Sequence, residues 1–183
     1  MFDILEQNIK HILMPQTKTL KMWSAACSIG AEPYTLAMIM DRLTPGKRHN
    51  ILATDIDNTI LETARRGIYT SKDIKNVDEV LIKKYFIVTG DNYEIVNDMK
   101  SRITFKKHDL ILDRYETDFD LIICRNVVIY FTQDAKNDIY NKFYKSMKPG
   151  ALLFVGATES IYNYREFGFE KLSTFIYKKQ GGN

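Results

Sequence analysis

The residues of this chain that are best placed to do chemistry follow two short apolar runs, about one βα unit apart. The run 22–26 leads into the small-residue loop Ala26-Cys27-Ser28-Ile29-Gly30, and the run 51–54 ends in Asp55. In doubly wound α/β proteins, small residues let the backbone approach a ligand, and an acid after the second strand accepts hydrogen bonds from ribose hydroxyls. The pattern predicts a site for a cofactor that carries a nucleoside.

The same loop indicates which nucleoside cofactors fit. It lacks the G-x-G-x-x-G run that brings the backbone close to a pyrophosphate, which argues against NAD and FAD and favours a cofactor without phosphates. Of the two acids that follow the second strand, we expect Asp55 to accept from the ribose and Asp57 to cap the next helix. The alternatives are a turn whose small residues serve packing and a pair of acids that only begin a helix.

Further polar residues follow two later strands. Arg125 and Asn126 come directly after an apolar strand, with Tyr130 close behind, and we expect all three to line the crevice between the first and fourth strands. Asp109 and Leu110 end another strand, where a carboxylate can accept from an adenine amino group and a leucine can pack on the ring. The alternatives are a surface arginine, a core tyrosine and an ordinary loop carboxylate.

The elements that position these residues alternate between strands and helices. Apolar strands without polar alternation predict a doubly wound α/β fold with a mainly parallel sheet, covered by helices on both faces. The predicted main elements are an opening helix that Pro15 ends, strands at 22–26, 51–54, 119–124 and 151–155, helices at 32–43, 57–67 and 133–147, closing β segments at 169–172 and 174–177, and a fraying tail at 180–183.

The stretch from about 68 to 107 interrupts this alternation. It predicts a hairpin of strands 85–88 and 93–96, followed by a short strand at 103–105. We expect a small inserted antiparallel β-subdomain that contacts a partner, with a purely structural flap as the alternative.

Composition narrows the functional classes. A length of 183 residues with 45% apolar residues predicts one globular domain spanning 1–183. The net charge of +3 comes without a polybasic run, which argues against nucleic acid. No membrane-spanning or secretory pattern is present, so we expect a soluble, cytoplasmic protein, and the scattered cysteines and histidines predict no metal site.

Six segments occur in an order that is specific to one family. They are WSAACSIGAEPY at 23–34, ATDID at 53–57, ARRGIY at 64–69, CRNVVIYF at 124–131, KPG at 148–150 and ATES at 157–160. The chain thereby resembles the CheR-type chemotaxis methyltransferases. The resemblance implies an enzyme with a class I methyltransferase (Rossmann-like) sheet of seven strands that uses S-adenosylmethionine to form methyl esters on glutamate side chains of chemoreceptors. It also implies that the inserted β-subdomain docks on receptors, whose cytoplasmic helices carry the acceptor.

The resemblance implies a role for each site residue. The cofactor-binding set is Ala26, Ser28, Gly30, Glu32, Asp55, Asp109, Leu110, Arg125 and Asn126. Within it, the loop 26–32 contacts the methionine side of the cofactor and Asp55 the ribose. Residues 109–110 contact the adenine region, and residues 125–126 lie on the sulfonium side. Arg125 and Tyr130 are the catalytic candidates, because either can orient the incoming carboxylate.

The chain also departs from the family pattern. Family members usually carry an N-terminal helical domain and an Asn-x-Thr-x-Phe-Phe-Arg-like segment, and this sequence starts after the position where that segment ends. Ala26 and Ala31 stand where a glycine and a glutamate are usual. Two alternatives stay open, namely a methyltransferase for another substrate and a non-catalytic module that binds the cofactor or a receptor.

Overall fold

Strands and helices alternate along most of the chain in the computed structural model, which describes residues 1–181. The strands are β1 Lys21–Ala25, β2 Asn50–Asp55, β3 Ile68–Thr70, β4 Phe86–Thr89, β5 Asn92–Ile95, β6 Ile103–Lys107, β7 Phe119–Cys124, β8 Met147–Val155, β9 Phe169–Lys171 and β10 Ile176–Lys179. The helices are α1 Phe2–Asn8, α2 Ala31–Leu43, α3 Asn58–Arg66, α4 Glu79–Tyr85, α5 Asn97–Lys100 and α6 Gln133–Ser146, with a π-helical turn at Ile9–Leu13 and a 3-10 turn at Val128–Tyr130. Within residues 1–181, every helix is too short or too polar to span a bilayer. The last two residues of the tail that we expected to fray lie outside the described range.

The main sheet has the strand order β6-β2-β1-β7-β8-β10-β9. The first five of these strands pair in parallel, whereas β10 runs antiparallel to both β8 and β9. The predicted doubly wound, mainly parallel sheet is therefore confirmed. From β1 the sheet grows first through β2 and then, on the other side, through β7, so the strand order reverses between β1 and β7.

Side chains of the central strands alternate between two apolar cores, one on each face of the sheet. On β7, Leu121 and Ile123 pack in the core that holds Leu36 of α2. Ile122, between them in sequence, packs in the core that holds Phe143 of α6. Because helices cover both faces, both sets of strand residues are apolar, and this explains the continuous apolar runs in the sequence.

The opening helix packs against the end of the sheet, as its apolar stripe predicted. Leu5 and Ile9 are fully buried, and Phe2 and Ile12 are partly buried against the same core. The Phe2 ring meets the Phe154 ring of β8 edge-on, with 5.6 Å between the ring centroids. The first residues of the chain are thereby held at the carboxyl end of β8.

Local signals place α3 directly after the end of β2. Asp57 caps the helix, with its Oδ1 accepting from the amide of Thr59 at 2.7 Å. Gly67 ends the helix in the left-handed conformation, with φ of 59°, and a Cβ there would lie 3.0 Å from the Tyr34 hydroxyl oxygen. Both predicted roles are confirmed, and the cap fixes the backbone just after Asp55.

A second, antiparallel sheet with the order β3-β5-β4 lies between α3 and β6 in the chain, and it contains the expected hairpin. The expected boundary near 107 is wrong in one respect. Strand β6 belongs to the main sheet, where Ile103 lies opposite Ile51 and the two strands run parallel. A run as short as Ile103–Phe105 fits either sheet, so its sequence does not reveal its pairing partner.

The Asp57 cap generates the first prediction. Replacing Asp57 by alanine removes the acceptor for the first-turn amides, and we expect a loss of about 1 kcal/mol in the free energy of unfolding. Urea unfolding curves, compared at equal slope, measure the loss. Asp57→Asn keeps an acceptor oxygen and is expected to retain most of the stability. An equal loss in both variants would show that the charge, and not the cap hydrogen bond, matters.

Candidate functional site

The carboxyl ends of β1, β2 and β7 open into one cleft at the point where the strand order reverses, the usual ligand position in open α/β sheets. The cleft has a volume of about 550 Å³, a size typical of small-molecule sites. Its lining residues are Phe2, Ala26, Cys27, Ser28, Ile29, Ala31, Glu32, Thr35, Asp55, Arg125, Asn126 and Val127. The structure thus brings together most of the residues that the sequence singled out.

The loop between β1 and α2 has an unusual backbone. Ala26 and Ser28 have positive φ angles of 60° and 50°, and Gly30 has 86°. The Cys27 amide donates to the Thr54 carbonyl at 2.8 Å, so the loop is tied to the end of β2. Non-glycine residues with positive φ are strained and often occur at ligand sites.

Gly30 has a different position from the one we predicted. It does not line the cleft; it precedes α2, where a Cβ would lie 3.0 Å from the Ala64 Cβ of α3. Its contribution is therefore the turn and the close packing of α2 on α3.

The carboxylate of Asp55 lies at the mouth of the cleft and is held by backbone amides. Its Oδ2 accepts from the Ser28 amide at 2.9 Å, and its Oδ1 accepts from the Asp57 amide at 3.2 Å. A carboxylate has lone pairs for several donors, so these two bonds leave acceptor capacity. The geometry matches the expected division in which Asp57 caps α3 and Asp55 is available to a ligand.

Glu32 lies in the first turn of α2, deep in the cleft. The Ser24 hydroxyl donates to its Oε1 at 2.7 Å, and the Arg125 Nη1 lies 3.5 Å from its Oε2. Burial raises the pKa of Glu32 to about 7, although the Ser24 hydrogen bond and the Arg125 charge act in the opposite direction. A buried carboxylate with so few partners is suited to receive a cationic group from a ligand.

Arg125 lies beside a pair of aromatic rings that contact each other at the other side of the cleft. Its guanidinium carbon is 5.2 Å from the centroid of Phe2 and 5.4 Å from that of Phe154. Its Nε is buried without a hydrogen-bond partner in the described part of the chain. Buried donors are normally paired, so this arginine and Glu32 together fit a ligand that carries both a carboxylate and an ammonium group.

Besides Gly30, three other predicted residues, Asp109, Leu110 and Tyr130, do not line the cleft. The Oδ1 of Asp109 accepts from the Ile111 amide at 2.7 Å, and Leu110 is buried in the core beside Trp23. Both lie after β6, close to Asp55, because the His108 amide donates to the Asp55 carbonyl at 2.9 Å.

Tyr130 ends the 3-10 turn after Asn126, and its side chain is 80% exposed. Our expectation that it lines the crevice is therefore wrong for this arrangement of side chains. It lies on the same loop as the Arg125–Asn126 pair, facing solvent.

Several residues of the site were not singled out as site residues from the sequence. Phe2, Thr35 and Val127 line the cleft, and Ser24 reaches Glu32 from inside β1. Glu159 accepts from the amides of the loop after β7, although we had noted it only as part of a family motif. These residues come from separate elements, so only the fold assembles them; Ser24, Val127 and Glu159 had appeared only within the family segments at 23–34, 124–131 and 157–160.

Comparisons with known proteins identify the family. The family model described as "CheR methyltransferase, SAM binding domain" matches residues 1–176. The chemotaxis protein methyltransferase of Listeria innocua is 42% identical over 179 residues, which cover 97% of this chain and 68% of that protein. That of Borreliella burgdorferi is 35% identical over 190 residues, covering 97% and 66%. This chain thus spans about two thirds of the length of these relatives.

Solved structures agree on the fold. The S-adenosylmethionine-bound amino pentose methyltransferase CalS10 from Micromonospora echinaspora has a TM-score of 0.51 at 11% identity, covering 85% of this chain and 50% of that one. The [4+2]-cyclase SpnF has a TM-score of 0.50 at 12% identity, covering 84% and 43%. At such identities the likeness concerns the fold alone. The family matches, extending over the sheet and its cleft, show that the chain belongs to the CheR family of S-adenosylmethionine-binding chemotaxis methyltransferases.

Proposed function

We propose that this chain transfers a methyl group from S-adenosylmethionine to glutamate side chains of chemoreceptors, forming methyl esters. The observation that carries the proposal is the cleft itself, where the buried Glu32 carboxylate lies beside the Arg125 guanidinium and opposite Asp55. A ribose linked to an amino acid presents groups complementary to all three. The chemotaxis methyltransferases among the relatives supply the class of methyl acceptor.

The cleft residues divide the cofactor between them in this proposal. Glu32 accepts from the ammonium group, and Arg125 donates to the carboxylate, so the two charged ends of the methionine part are paired. Asp55 accepts from the ribose hydroxyls. Asp109 and Leu110, which follow β6 next to Asp55, adjoin the adenine; because they do not line the cleft here, their contact requires a local shift of that loop.

The methyl acceptor requires no general base. A glutamate with an ordinary pKa of about 4.3 is ionised at neutral pH. Bound S-adenosylmethionine supplies a methyl group activated by a sulfonium. Transfer to the acceptor oxygen would break the carbon–sulfur bond and leave its electron pair on sulfur. The protein therefore acts by alignment and by excluding water, and the exposed Tyr130 hydroxyl is available to orient the acceptor carboxylate.

The inserted sheet is the docking surface for receptors in this proposal. Ile87 and Val88 of β4 are 53% and 51% exposed, and Ile68 of β3 is 45% exposed. Strand β4 is an edge strand of the small sheet. Exposed apolar side chains on a sheet edge are typical of surfaces that pair with a partner, which supports docking more than a purely structural flap.

The proposed function is tested with radiolabelled S-adenosylmethionine and receptor cytoplasmic fragments. We expect label on the receptor fragment that base treatment releases as methanol, because carboxyl methyl esters hydrolyse in base. Label that survives base would indicate amine or ring methylation and a different substrate. Binding of the receptor without binding of S-adenosylhomocysteine would favour the non-catalytic module.

Glu32 predicts how cofactor affinity depends on pH. With a pKa of about 7, its ionised fraction falls from about 90% at pH 8 to about 10% at pH 6. Because the ionised form pairs with the ammonium group, we expect S-adenosylhomocysteine to bind about tenfold more weakly at pH 6. Calorimetric titration measures this change. Glu32→Gln is expected to bind weakly at both values and to lose the dependence; an unchanged slope would contradict the role.

Protonation of Glu32, which is expected to weaken cofactor binding, is expected to stabilise the cofactor-free protein. A pKa raised from 4.5 to about 7 means that the folded state holds the proton more tightly, so this stabilisation is present below pH 4.5 and is lost as the pH rises through 7. Glu32→Gln is therefore expected to unfold at a higher temperature than wild type at pH 8, with the gap narrowing toward pH 5. Thermal melts across pH test this, and a gap independent of pH would contradict it.

The role proposed for Tyr130 predicts that loss of its hydroxyl lowers kcat much more than it lowers cofactor affinity. Tyr130→Phe keeps the ring and removes the hydroxyl, so we expect kcat to fall about tenfold while S-adenosylhomocysteine affinity changes less than twofold. Tyr162→Phe is the matched control, because Tyr162 is 94% exposed on another loop. Equal losses in kcat and cofactor affinity for Tyr130→Phe would contradict an acceptor-orienting role.

A further inference from the structure

Glu159 is a buried carboxylate behind the loop that follows β7. Its residue is 4% exposed. Its Oε1 accepts from the amides of Val127 and Val128, each at 2.9 Å. Its Oε2 accepts from the amides of Asn126 at 2.6 Å and Gly156 at 2.9 Å. Each oxygen therefore takes two backbone donors, and one side chain ties the end of β7 to the end of β8.

Backbone dipoles, and not a cation, balance this charge. Among the ion pairs within residues 1–181, none includes Glu159. Hydrogen bonds to an ionised acceptor are stronger than those between neutral groups, so four of them hold the loop firmly. An unpaired buried charge is costly. Here four backbone amides pair with the carboxylate oxygens, and a side chain other than a carboxylate would not pair with all four.

The loop that Glu159 holds carries the cofactor side of the cleft. Asn126 has a positive φ of 60°, in the left-handed region that asparagine adopts more readily than most other residues, and the Glu159 carboxylate accepts from its amide. Arg125, Asn126 and Val127 line the cleft, and the loop continues into the turn with Tyr130. Glu159 itself does not line that cleft.

Gly156 is matched to this arrangement. A Cβ at position 156 would collide with the Glu159 Oε2 and would lie 3.0 Å from the Asn126 Oδ1. The absence of a side chain therefore lets the carboxylate approach both strands. Substitution at this glycine displaces the carboxylate, and it also crowds the side chain of Asn126, which lines the cleft.

We propose that Glu159 is a positioning residue for the methyl-transfer site, which places Arg125 and Asn126 at the cofactor by fixing the backbone that carries them. The proposal rests on the proposed function, because it assigns those two residues to the cofactor. A purely structural residue would support the fold without this specific effect on ligand binding.

The first test does not involve the cofactor. In Glu159→Gln, the amide nitrogen must replace one oxygen and face two backbone N–H donors, whichever way the side chain is turned. We expect hydrogen exchange at the amides of 126–128 and 156 to become at least tenfold faster in the cofactor-free protein. Exchange at Ile122 and Ile123 of β7 stays within twofold. Glu170→Gln, at an exposed position on β9, is the matched control and leaves all these amides unchanged.

The second test links the loop to the cofactor by equilibrium dialysis with labelled S-adenosylhomocysteine. We expect Glu159→Gln and Gly156→Ala each to weaken binding at least tenfold while the circular dichroism spectrum remains that of wild type. In an Arg125→Ala background, the further loss from Glu159→Gln is expected to be less than threefold, because both changes affect the same contact. Full additivity, or faster exchange with unchanged affinity, would overturn the positioning role.

The two tests separate the possible failures. A wild-type chain that does not bind S-adenosylhomocysteine contradicts the proposed function, and with it the role of Glu159 toward the cofactor, even where the exchange data show that Glu159 holds the loop. Unchanged exchange in Glu159→Gln contradicts the carboxylate cradle itself. If Glu159→Gln does not fold, Glu159→Asp, which keeps the charge but shortens the side chain, decides by the same two measurements.

Discussion

The reversal of strand order between β1 and β7 is the constraint on which the rest of the structure depends. Because β2 pairs on one side of β1 and β7 on the other, the connections that leave these strands diverge and open a cleft at their carboxyl ends. Three charged residues of the proposed cofactor site, Glu32, Asp55 and Arg125, lie at or after the carboxyl ends of β1, β2 and β7. The loop after β1 lines this cleft. Its conformation is set by the positive φ angles of Ala26 and Ser28 and by the hydrogen bond from the Cys27 amide to the Thr54 carbonyl.

Two buried glutamates show how the same side chain serves different ends. Glu159 has all its acceptor sites directed at backbone amides, so it fixes a loop and has little left to offer a ligand. Glu32 accepts from one hydroxyl at 2.7 Å and has one guanidinium nitrogen at 3.5 Å, so it keeps acceptor capacity for a cationic group of a ligand. Complete hydrogen bonding lets Glu159 hold a loop in place, and incomplete hydrogen bonding leaves Glu32 suited to binding a cationic group.

The residues proposed to contact the methyl acceptor are separate from those proposed to hold the cofactor. Tyr130 is exposed on the loop after β7, and Ile87 and Val88 are exposed on the edge strand of the inserted sheet. This separation explains why a shared methyltransferase fold, seen even in a cyclase at 12% identity, carries no information on the acceptor.

The sequence by itself determined the local features of this protein. Apolar runs located the central strands, Asp57 and Gly67 marked both ends of α3, and the loop 26–30 with Asp55 predicted a nucleoside site without pyrophosphate contacts. These features are encoded by neighbouring residues, through capping, backbone freedom and periodicity. The family resemblance, carried by motifs in order, added the identity of the cofactor.

Only the tertiary structure decided the contacts between distant segments. It showed that β6 pairs with β2 in the main sheet. The sequence did not reveal this, because a three-residue apolar run does not specify its pairing partner. The tertiary structure also brought Phe2 onto Arg125 and Ser24 onto Glu32, contacts between residues that no local pattern relates. Glu159 is the clearest case, since a carboxylate becomes a loop anchor only when folding directs four amides from two strand ends at it.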